Sequence, residues 1–217
     1  MNICVITLFT KEIEVIGELT TQNHRAYCAK HGYQYNAHFG RISERHAAWD
    51  KILAVMRLLP YYDYVMWIDA DCVFNNFDKK IEDYFNKCGT FCRDIGYNGE
   101  NGQWHFVNTG VFILKHDQKS FDFLNAVWRG KDYKVDGLDK RSYNGWPWEQ
   151  GPVSEYLMQS NDFTVLTDQE FNCHPNIARS DVYIIHYMGW RASPEVEKNY
   201  LDRIRTAPGI TFPVPYT

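Results

Sequence analysis

The chain has 217 residues, a length that suits one α/β domain with a single sizeable core better than two small domains. Its 23 Lys and Arg against 27 Asp and Glu exclude the overall basic charge expected of a general nucleic-acid binder. No apolar run reaches the ~18 residues of a membrane span, and MNICVITLFTKE lacks the basic start and long apolar stretch of a signal peptide. We therefore expect a cytoplasmic or otherwise soluble protein with no transmembrane segment and no nucleic-acid partner.

The predicted elements of the first half alternate between strands and helices. They are a strand at 2–9, a helix at 11–31 that ends at Gly32, a strand at 33–39, a helix at 47–59 that Pro60 stops, and a strand at 64–68. Glycine readily ends a helix in a left-handed conformation, and proline disfavours helical backbone in the residue before it. This order predicts an α/β sheet whose first strands are parallel.

The second half continues the alternation. We predict a strand at 107–115, a helix at 117–128, a long loop at 130–145, a helix at 148–158, strands at 163–166 and 182–187, and a last helix that begins at Ser193 and Pro194. A loop as long as the one at 130–145 is often a functional lid. One domain at 1–207 is expected, followed by a proline-rich arm or linker at 208–217.

Six cysteines are scattered along the chain: Cys4, Cys28, Cys72, Cys88, Cys92 and Cys173. Only Cys88 and Cys92 are close in sequence, and no second pair completes a zinc cluster. Several of the six lie in apolar runs, so we predict buried, reduced thiols rather than disulfides.

Two carboxylates, Asp69 and Asp71, directly follow the apolar strand at 64–68. Residues i and i+2 of an extended segment point the same way, and ligands bind at the carboxyl ends of parallel strands. Two adjacent carboxylates repel each other unless a cation joins them. Oxygen ligands of this kind suit Mg²⁺ or Mn²⁺, which fill their remaining positions with phosphate oxygens and water. The pair therefore predicts a metal-bound phosphate ligand.

The same segment leaves a second hypothesis open. DADCV also fits the D-x-D-x-[TV] pattern of haloacid-dehalogenase-like, Mg²⁺-dependent phosphatases, in which the first aspartate, here Asp69, is a nucleophile. That motif normally closes the first strand of its sheet, whereas a complete strand and two helices precede it here. This phosphatase is the alternative function.

Five segments resemble nucleotide-sugar glycosyltransferases with the A-type (GT-A) fold. In chain order they are NICVITLF with NHRAYCAKHGYQY, then AAWDKILAVMRLLPYYDYVMWIDADCVFNN, FVNTGVFILKHD, WPWEQGPVSEYL and VYIIHYMGW. Together they cover most of residues 1 to 190. They resemble in particular the galactosyl-, mannosyl- and xylosyltransferase family of fungi and plants, and the compact domain is also similar to glycosyltransferases encoded by large algal viruses.

The resemblance implies a GT-A-like (Rossmann-like) α/β fold, with a mixed, mainly parallel central sheet flanked by helices. It also implies a glycosyltransferase that uses Mn²⁺ or Mg²⁺. Such an enzyme would transfer a hexose or pentose from a nucleotide-diphosphate donor, with UDP favoured by family habit, to a hydroxyl of a glycan acceptor. The family retains the anomeric configuration of the sugar.

The resemblance also assigns a metal site. Asp69 would contact the ribose or the metal, and Asp71 would bind the metal that bridges the two donor phosphates. His186 lies where these enzymes keep a third metal ligand, and its imidazole suits Mn²⁺ better than Mg²⁺. A lone histidine on a strand can equally be structural.

Further donor-binding residues follow from the same resemblance: Thr7, Leu8 and Phe9 after the first strand, Arg45 or Lys51 near the start of the second helix, Ala70 between the aspartates, Asn108, Thr109 and Gly110 in the strand at 107–115, and Gly189 with Trp190 or Arg191 after His186. A plain turn, a solvated surface charge and a strand bulge are the respective alternatives at the first strand, the second helix and Gly110.

An acidic residue and a glutamine, Glu149 and Gln150, would lie beside the anomeric carbon as the catalytic pair. The family usually has Asp-Gln at this place, so the role of the longer Glu149 as acid, base or orienting group stays open. Glu149 in the first turn of a helix can also simply complement the helix dipole.

Overall fold

The structure is a computed structural model that describes residues 1–97, 106–130, 148–189 and 192–211. Its strands are β1 Ile3–Phe9, β2 Gln34–Phe39, β3 Tyr64–Ile68, β4 Cys72–Phe74, β5 Gly89–Arg93, β6 Val107–Lys115, β7 Thr164–Leu166 and β8 Ile184–His186. Its helices are α1 Glu14–His31, α2 Ala47–Leu58, α3 Gln118–Arg129, α4 Gln150–Gln159 and α5 Pro194–Arg205. Every strand and helix predicted from the sequence is present among these elements.

The described strands form one large sheet and one small one. The large sheet has the order β2-β1-β3-β6-β5-β7, and β4 and β8 form an antiparallel pair beside it. Pairing is parallel between β1 and β2, β1 and β3, and β5 and β7, whereas β6 is antiparallel to both β3 and β5. Among these six strands only β6 is reversed, so the predicted mixed, mainly parallel sheet is confirmed.

Helices cover both faces of the large sheet. On one face, α2 and α3 belong to a buried cluster that includes Trp49, Phe123 and Trp67. On the other face, α1 belongs to a cluster that includes Tyr27 and Met66. Because both faces of the central strands are covered, β1 is buried at all seven positions and its sequence is a continuous apolar run.

Local backbone signals explain where several helices begin and end. The helix α1 ends at Gly32, whose φ of 74° is left-handed, and Ser193 caps α5 by accepting a hydrogen bond from the backbone N–H of Val196. The helix α4 begins at Gln150 rather than at the predicted residue 148. Trp148 has a φ of 45°, which is incompatible with an α-helix.

Two strands were missed by the sequence analysis. β4 has only three residues and β5 only five, and β5 begins with a glycine, so neither shows a clear strand pattern. The pairing of β4 with β8 nevertheless matters, because it joins the segment after Asp71 to the segment that ends at His186.

The remaining expectations concern thiols, membranes and the end of the chain. All six cysteines lie in the described residues and none forms a disulfide, as predicted. No helix of the described part is long and apolar enough to cross a membrane. After α5 the chain lies against α1, where Asn23 Nδ2 donates to the carbonyl of Pro208 at 2.8 Å. The predicted loop at 130–145 and the tail beyond 211 fall outside the described residues, apart from residue 130.

Candidate active site

A cleft lies at the carboxyl ends of β1 and β3. It consists of two adjoining cavities of about 210 and 190 Å³, which share Ala48, Lys51, Asp69 and Asp71 as walls. The larger cavity is otherwise lined by Asn108, Thr109, Gly110, Trp148, Glu149, Gln150, His186, Met188 and Gly189. The smaller one is otherwise lined by Leu8, Phe9, Thr10, Ile13, Ala47, Trp67 and Ala70.

Asp69 extends directly from the end of β3 into this cleft. Its backbone N–H donates to the carbonyl of Gly110 at 2.7 Å, which continues the pairing of β3 with β6. Trp67 Nε1 donates to Asp69 Oδ1 at 2.6 Å, and Lys51 Nζ contacts the same oxygen at 3.0 Å. The carboxylate is thus held in place at the point where the two cavities meet.

Asp71 and His186 are neighbours across the small sheet. The register pairs Cys72 with His186, and Asp71 accepts a backbone hydrogen bond from Tyr187 at 2.8 Å. His186 Nε2 lies 3.2 Å from Asp71 Oδ1 and 3.9 Å from Asp69 Oδ2. Ligand atoms of Asp71, Cys72 and His186 all lie within 4.8 Å of one another. Oxygen and nitrogen donors of the predicted metal site therefore converge.

The proximity of these groups changes their pKa values. Burial alone would raise the pKa of Asp71, but the adjacent His186 holds it below its ordinary value. For His186, burial alone would lower the pKa, and Asp71 outweighs it, so the pKa of the imidazole is raised. Each group of the pair thus favours the charged form of the other.

Lys51 is a buried cation between two carboxylates. Its Nζ lies 3.0 Å from Asp69 Oδ1 and 2.9 Å from Glu149 Oε1, and it donates to the carbonyl of Thr109 at 3.2 Å. Burial would lower the pKa of Lys51, but Asp69 and Glu149 raise it well above its ordinary value. Of the two basic residues predicted near the second helix, Lys51 is the one that reaches the site.

Glu149 is buried and only partly satisfied. Its Oε1 accepts from Lys51 and from Thr109 Oγ1, the latter at 2.8 Å. Its Oε2 and the Nε2 of Gln150 have no hydrogen-bond partner among the described residues, although both side chains line the cavity. Burial raises the pKa of Glu149 although Lys51 opposes the rise. Buried polar atoms without partners are costly, so this pair is a strained part of the cavity wall.

The Asn108-Thr109-Gly110 segment of β6 forms the floor beside His186. Asn108 Oδ1 accepts a hydrogen bond from the backbone N–H of Gly110 at 2.9 Å, and Thr109 Oγ1 donates one to Glu149 Oε1. Gly110 is in close contact with the ring of His186. The polar residues in this apolar strand are therefore used within the site.

Two predicted site residues of the described part, Thr7 and Arg45, do not line the cleft. Thr7 is fully buried on β1, and its Oγ1 has no partner among the described residues. Arg45 stacks on Trp49, with Cζ 3.2 Å from the ring centroid, and it donates to the carbonyls of residues 128 and 130 near the end of α3. Trp190, like the alternative residue 191, lies outside the described residues.

The sequence analysis also missed a buried residue behind the site. Asn172 is 1% exposed, and its side chain bonds both His186 and Asn108. It lies in an irregular segment that joins β8 through a single bridge at Cys173. No periodic pattern marks such a segment, so nothing in the sequence singled out this asparagine.

In comparison with known proteins, residues 3–92 match the galactosyl transferase GMA12/MNN10 family. A probable glycosyltransferase 6 of Oryza sativa subsp. japonica is 31% identical over 112 residues, which are 48% of this chain and 23% of the rice protein. Xyloglucan 6-xylosyltransferase 1 of Arabidopsis thaliana is 28% identical over 113 residues, 48% of this chain and 24% of that protein. The chain thus spans about a quarter of the length of these relatives.

Solved structures show the same fold over nearly the whole chain. A glycosyltransferase involved in the glycosylation of the major capsid of PBCV-1 superimposes with a TM-score of 0.70 at 16% identity, covering 95% of this chain and 100% of that one. An active-site mutant of LgtC has a TM-score of 0.53 at 10% identity, with 93% and 94% covered. The two plant relatives and the PBCV-1 protein are named as glycosyltransferases, which agrees with the predicted enzyme class and not with the phosphatase alternative.

These matches confirm the predicted resemblance and fold. Residues 3–92 are similar to the galactosyl transferase GMA12/MNN10 family, and the described residues have the GT-A fold.

Proposed function

We propose that this protein is a metal-dependent glycosyltransferase that moves a sugar from a nucleotide-diphosphate donor, with UDP as the favoured nucleotide, to a hydroxyl of a glycan acceptor. The observation that carries the proposal is the convergence of Asp69, Asp71 and His186 beside the buried Lys51–Glu149 pair. Both groups face one cleft at the carboxyl ends of parallel strands, the usual ligand site of such sheets.

The donor set fits a divalent cation. Asp71 Oδ1 and His186 Nε2 are 3.2 Å apart, and Asp69 adds a second carboxylate within 3.9 Å of the same nitrogen. An imidazole with carboxylates favours Mn²⁺ over Mg²⁺. When bound, the metal would act as a Lewis acid that neutralises charge on the leaving diphosphate. Asp69, Asp71 and His186 would hold the metal, and Gly189, which is in a left-handed conformation, would let the backbone approach the phosphates closely.

The two cavities divide the donor between them. The smaller one has apolar walls from Leu8, Phe9 and Ala48 with the polar Thr10 at its edge, and this composition suits a nucleobase and ribose. The larger one has mostly polar walls, including Thr109 and Gln150, and this suits a sugar. Asp69 and Asp71 line both, so the diphosphate would cross from one cavity to the other above them.

Glu149 is placed for the chemical step. Its side chain lines the larger cavity, which would hold the sugar, and Lys51 and Thr109 hold its Oε1, which fixes the carboxylate in one orientation. A retaining transfer can use Glu149 as a nucleophile on the anomeric carbon. It can also proceed on the front face, where Glu149 orients the sugar and the leaving phosphate takes the acceptor's proton.

Thermal unfolding with UDP or GDP, each with Mn²⁺ or with EDTA, tests the binding half of this proposal. A ligand at a hundred times its dissociation constant adds roughly 2.7 kcal/mol to folding stability. We expect a shift with UDP that requires Mn²⁺ and is lost in Asp71→Ala. The matched control is Asp78→Ala, which removes an exposed carboxylate bound to Lys30 and leaves the shift unchanged.

An assay of donor turnover tests the catalytic half of the proposal. The relatives are named as xylosyl- and galactosyltransferases, so UDP-xylose and UDP-galactose are the first donors to assay, with hydrolysis as the minimal readout. Release of UDP that depends on Mn²⁺ and on Asp71 supports the transferase. No nucleotide shift, together with release of inorganic phosphate from phosphate esters and phosphorylation of Asp69, would replace it with the phosphatase.

A further inference from the structure

A continuous run of side-chain amides connects the backbone of β6 to the ring of His186. The backbone N–H of Gly110 donates to Asn108 Oδ1 at 2.9 Å, and Asn172 Nδ2 donates to the same oxygen at 2.8 Å. Asn172 Oδ1 then lies 2.9 Å from His186 Nδ1. All of these groups are buried, and the far nitrogen of the ring, Nε2, faces Asp71.

The direction of every hydrogen bond in this run is determined by its first member. A backbone N–H can only donate, so the Asn108 atom that receives it must be the amide oxygen. That oxygen has two lone pairs, and the second can only be filled by a donor, which makes the facing atom of Asn172 its NH₂ group. The oxygen of Asn172 therefore faces His186, and it can only accept. Nδ1 of His186 must then carry a proton. A ring that gives up its other proton, the one facing Asp71, to bind a cation through Nε2 is therefore the Nδ1–H tautomer.

The backbone of Gly110 faces β3, since its carbonyl accepts from the N–H of Asp69 at 2.7 Å. Its own N–H donates to the side chain of Asn108, two residues earlier on the same strand. This backbone donor is the fixed point of the side-chain network.

We propose that this amide relay, Gly110–Asn108–Asn172, holds His186 in the Nδ1–H tautomer, so that the Nε2 lone pair points at the metal position between Asp69 and Asp71. Asn172 and Asn108 are positioning residues. Neither forms a hydrogen bond with the carboxylate of Asp69 or Asp71, and both act through the imidazole of His186. The proposal rests on the metal site of the proposed function. A metal-ligating histidine generally needs such a partner on its other nitrogen, and loss of that partner typically costs 10–100-fold in metal affinity.

The protonation of the ring can be measured separately from activity. In protein labelled with ¹⁵N-histidine, the two ring nitrogens of His186 are assigned by their loss in His186→Gln. They are then compared in EDTA and in the presence of UDP with the diamagnetic cation Mg²⁺. We expect Nδ1 to be protonated in both states of the wild type and Nε2 to be unprotonated once the cation is bound. Asn172→Asp, whose carboxylate still accepts from Nδ1, retains this state, whereas Asn172→Ala loses it.

The metal affinity is measured separately, by titrating Mn²⁺ into protein with UDP. We expect Asn172→Ala to raise the Mn²⁺ dissociation constant by about 10–100-fold. The matched control is Thr90→Val, which removes one buried hydrogen bond, from Thr90 Oγ1 to the carbonyl of Tyr84, away from the cleft. It should leave both the tautomer and the Mn²⁺ affinity unchanged.

The outcomes separate the relay from the proposed function. A neutral wild-type His186 protonated on Nε2 overturns the relay, and so does an Asn172→Ala protein with unchanged tautomer and Mn²⁺ affinity. If the wild type binds no Mn²⁺, the proposed function fails, and the protonation of Nδ1 in EDTA then supports the relay, whereas an unprotonated Nδ1 overturns it. If Asn172→Ala does not fold, Asn172→Asp decides, because an Nε2-protonated ring in that variant contradicts the proposal.

Discussion

Gly110 and His186 are packed so closely that the strand position admits no side chain. A Cβ atom on Gly110 would lie 2.2 Å from Cε1 and 2.5 Å from Nδ1 of the imidazole. Contacts this short do not occur, so either the ring or the strand must move. The glycine in the middle of β6 is thus explained by what lies across from it.

We therefore expect Gly110→Ala to displace His186 and to abolish the Mn²⁺-dependent stabilisation by UDP. The protein should still fold, since the strain falls on one ring at the edge of a cavity. The measurement is the thermal shift with UDP and Mn²⁺. Gly32→Ala is the control: its left-handed backbone costs about 1 kcal/mol of stability with alanine, but it is remote from the cleft and should leave the shift intact. An undiminished shift in Gly110→Ala would show that the ring need not hold this position.

A second prediction concerns the charge of Lys51. Lys51→Met leaves Glu149 buried and Asp69 partly buried without their shared cation, and removal of one partner of a buried ion pair typically costs about 3–5 kcal/mol. The free energy of unfolding, from urea titration at pH 7, should fall by an amount of this order. Glu149→Gln in the same background removes one of the uncompensated charges and should recover part of the loss. A cost below about 1 kcal/mol for Lys51→Met would contradict the buried-pair account.

Much of the large sheet could be predicted because its strands are long and bounded. The bounds of β3 and β6 agree with the sequence prediction, since apolar runs end abruptly at Asp69 and after Lys115. Asp69 and Asp71 do line one cleft as expected, but the extended i, i+2 geometry is wrong. Residues 69–71 form a turn in which the N–H of Cys72 donates to the carbonyl of Asp69 at 3.0 Å. Local patterns are sufficient where one strand and the residue after it determine the geometry.

The rest of the site depends on contacts between distant segments. The approach of His186 to Asp71 requires the pairing of β4 with β8, and three-residue strands have no periodicity to detect. By sequence alone, Arg45 and Lys51 are equivalent candidates on either side of the start of the second helix. In the structure, aromatic rings and carbonyls near the end of α3 hold Arg45 away from the cleft. The role of Asn172 could not be predicted either, because it depends on a hydrogen bond to the amide of Asn108, 64 residues earlier in the chain.

The third prediction separates binding from chemistry at Glu149. Glu149→Gln keeps an oxygen for Lys51 and Thr109 but removes the negative charge from the sugar cavity. We expect the rate of UDP release from the sugar donor to fall about 100-fold or more, with the Mn²⁺-dependent thermal shift by UDP unchanged. A variant with full turnover would remove Glu149 from the reaction. One that loses both properties would assign it to the structure of the site instead.

The last prediction concerns stability against acid and rests on His24, a buried residue behind the site. Its Nε2 lies 2.9 Å from the carbonyl of Cys72, and its Nδ1 lies 3.2 Å from the hydroxyl of Tyr35. Burial lowers the pKa of His24 from 6.5 to about 4, with the bond to Cys72 opposing this only in part. The unfolded chain therefore takes up the proton first, and the contribution of neutral His24 is complete above pH 6.5 and is lost as the pH falls towards 4. That interval corresponds to roughly 3 kcal/mol.

Urea titrations at pH 7, 5.5 and 4 should show that the free energy of unfolding of the wild type falls by about this much more than that of His24→Gln. In this variant an amide, which cannot titrate, replaces the imidazole as the donor to Cys72. Carboxylates titrate in both proteins and cancel in the difference, so an equal loss in the two would exclude His24 as the cause.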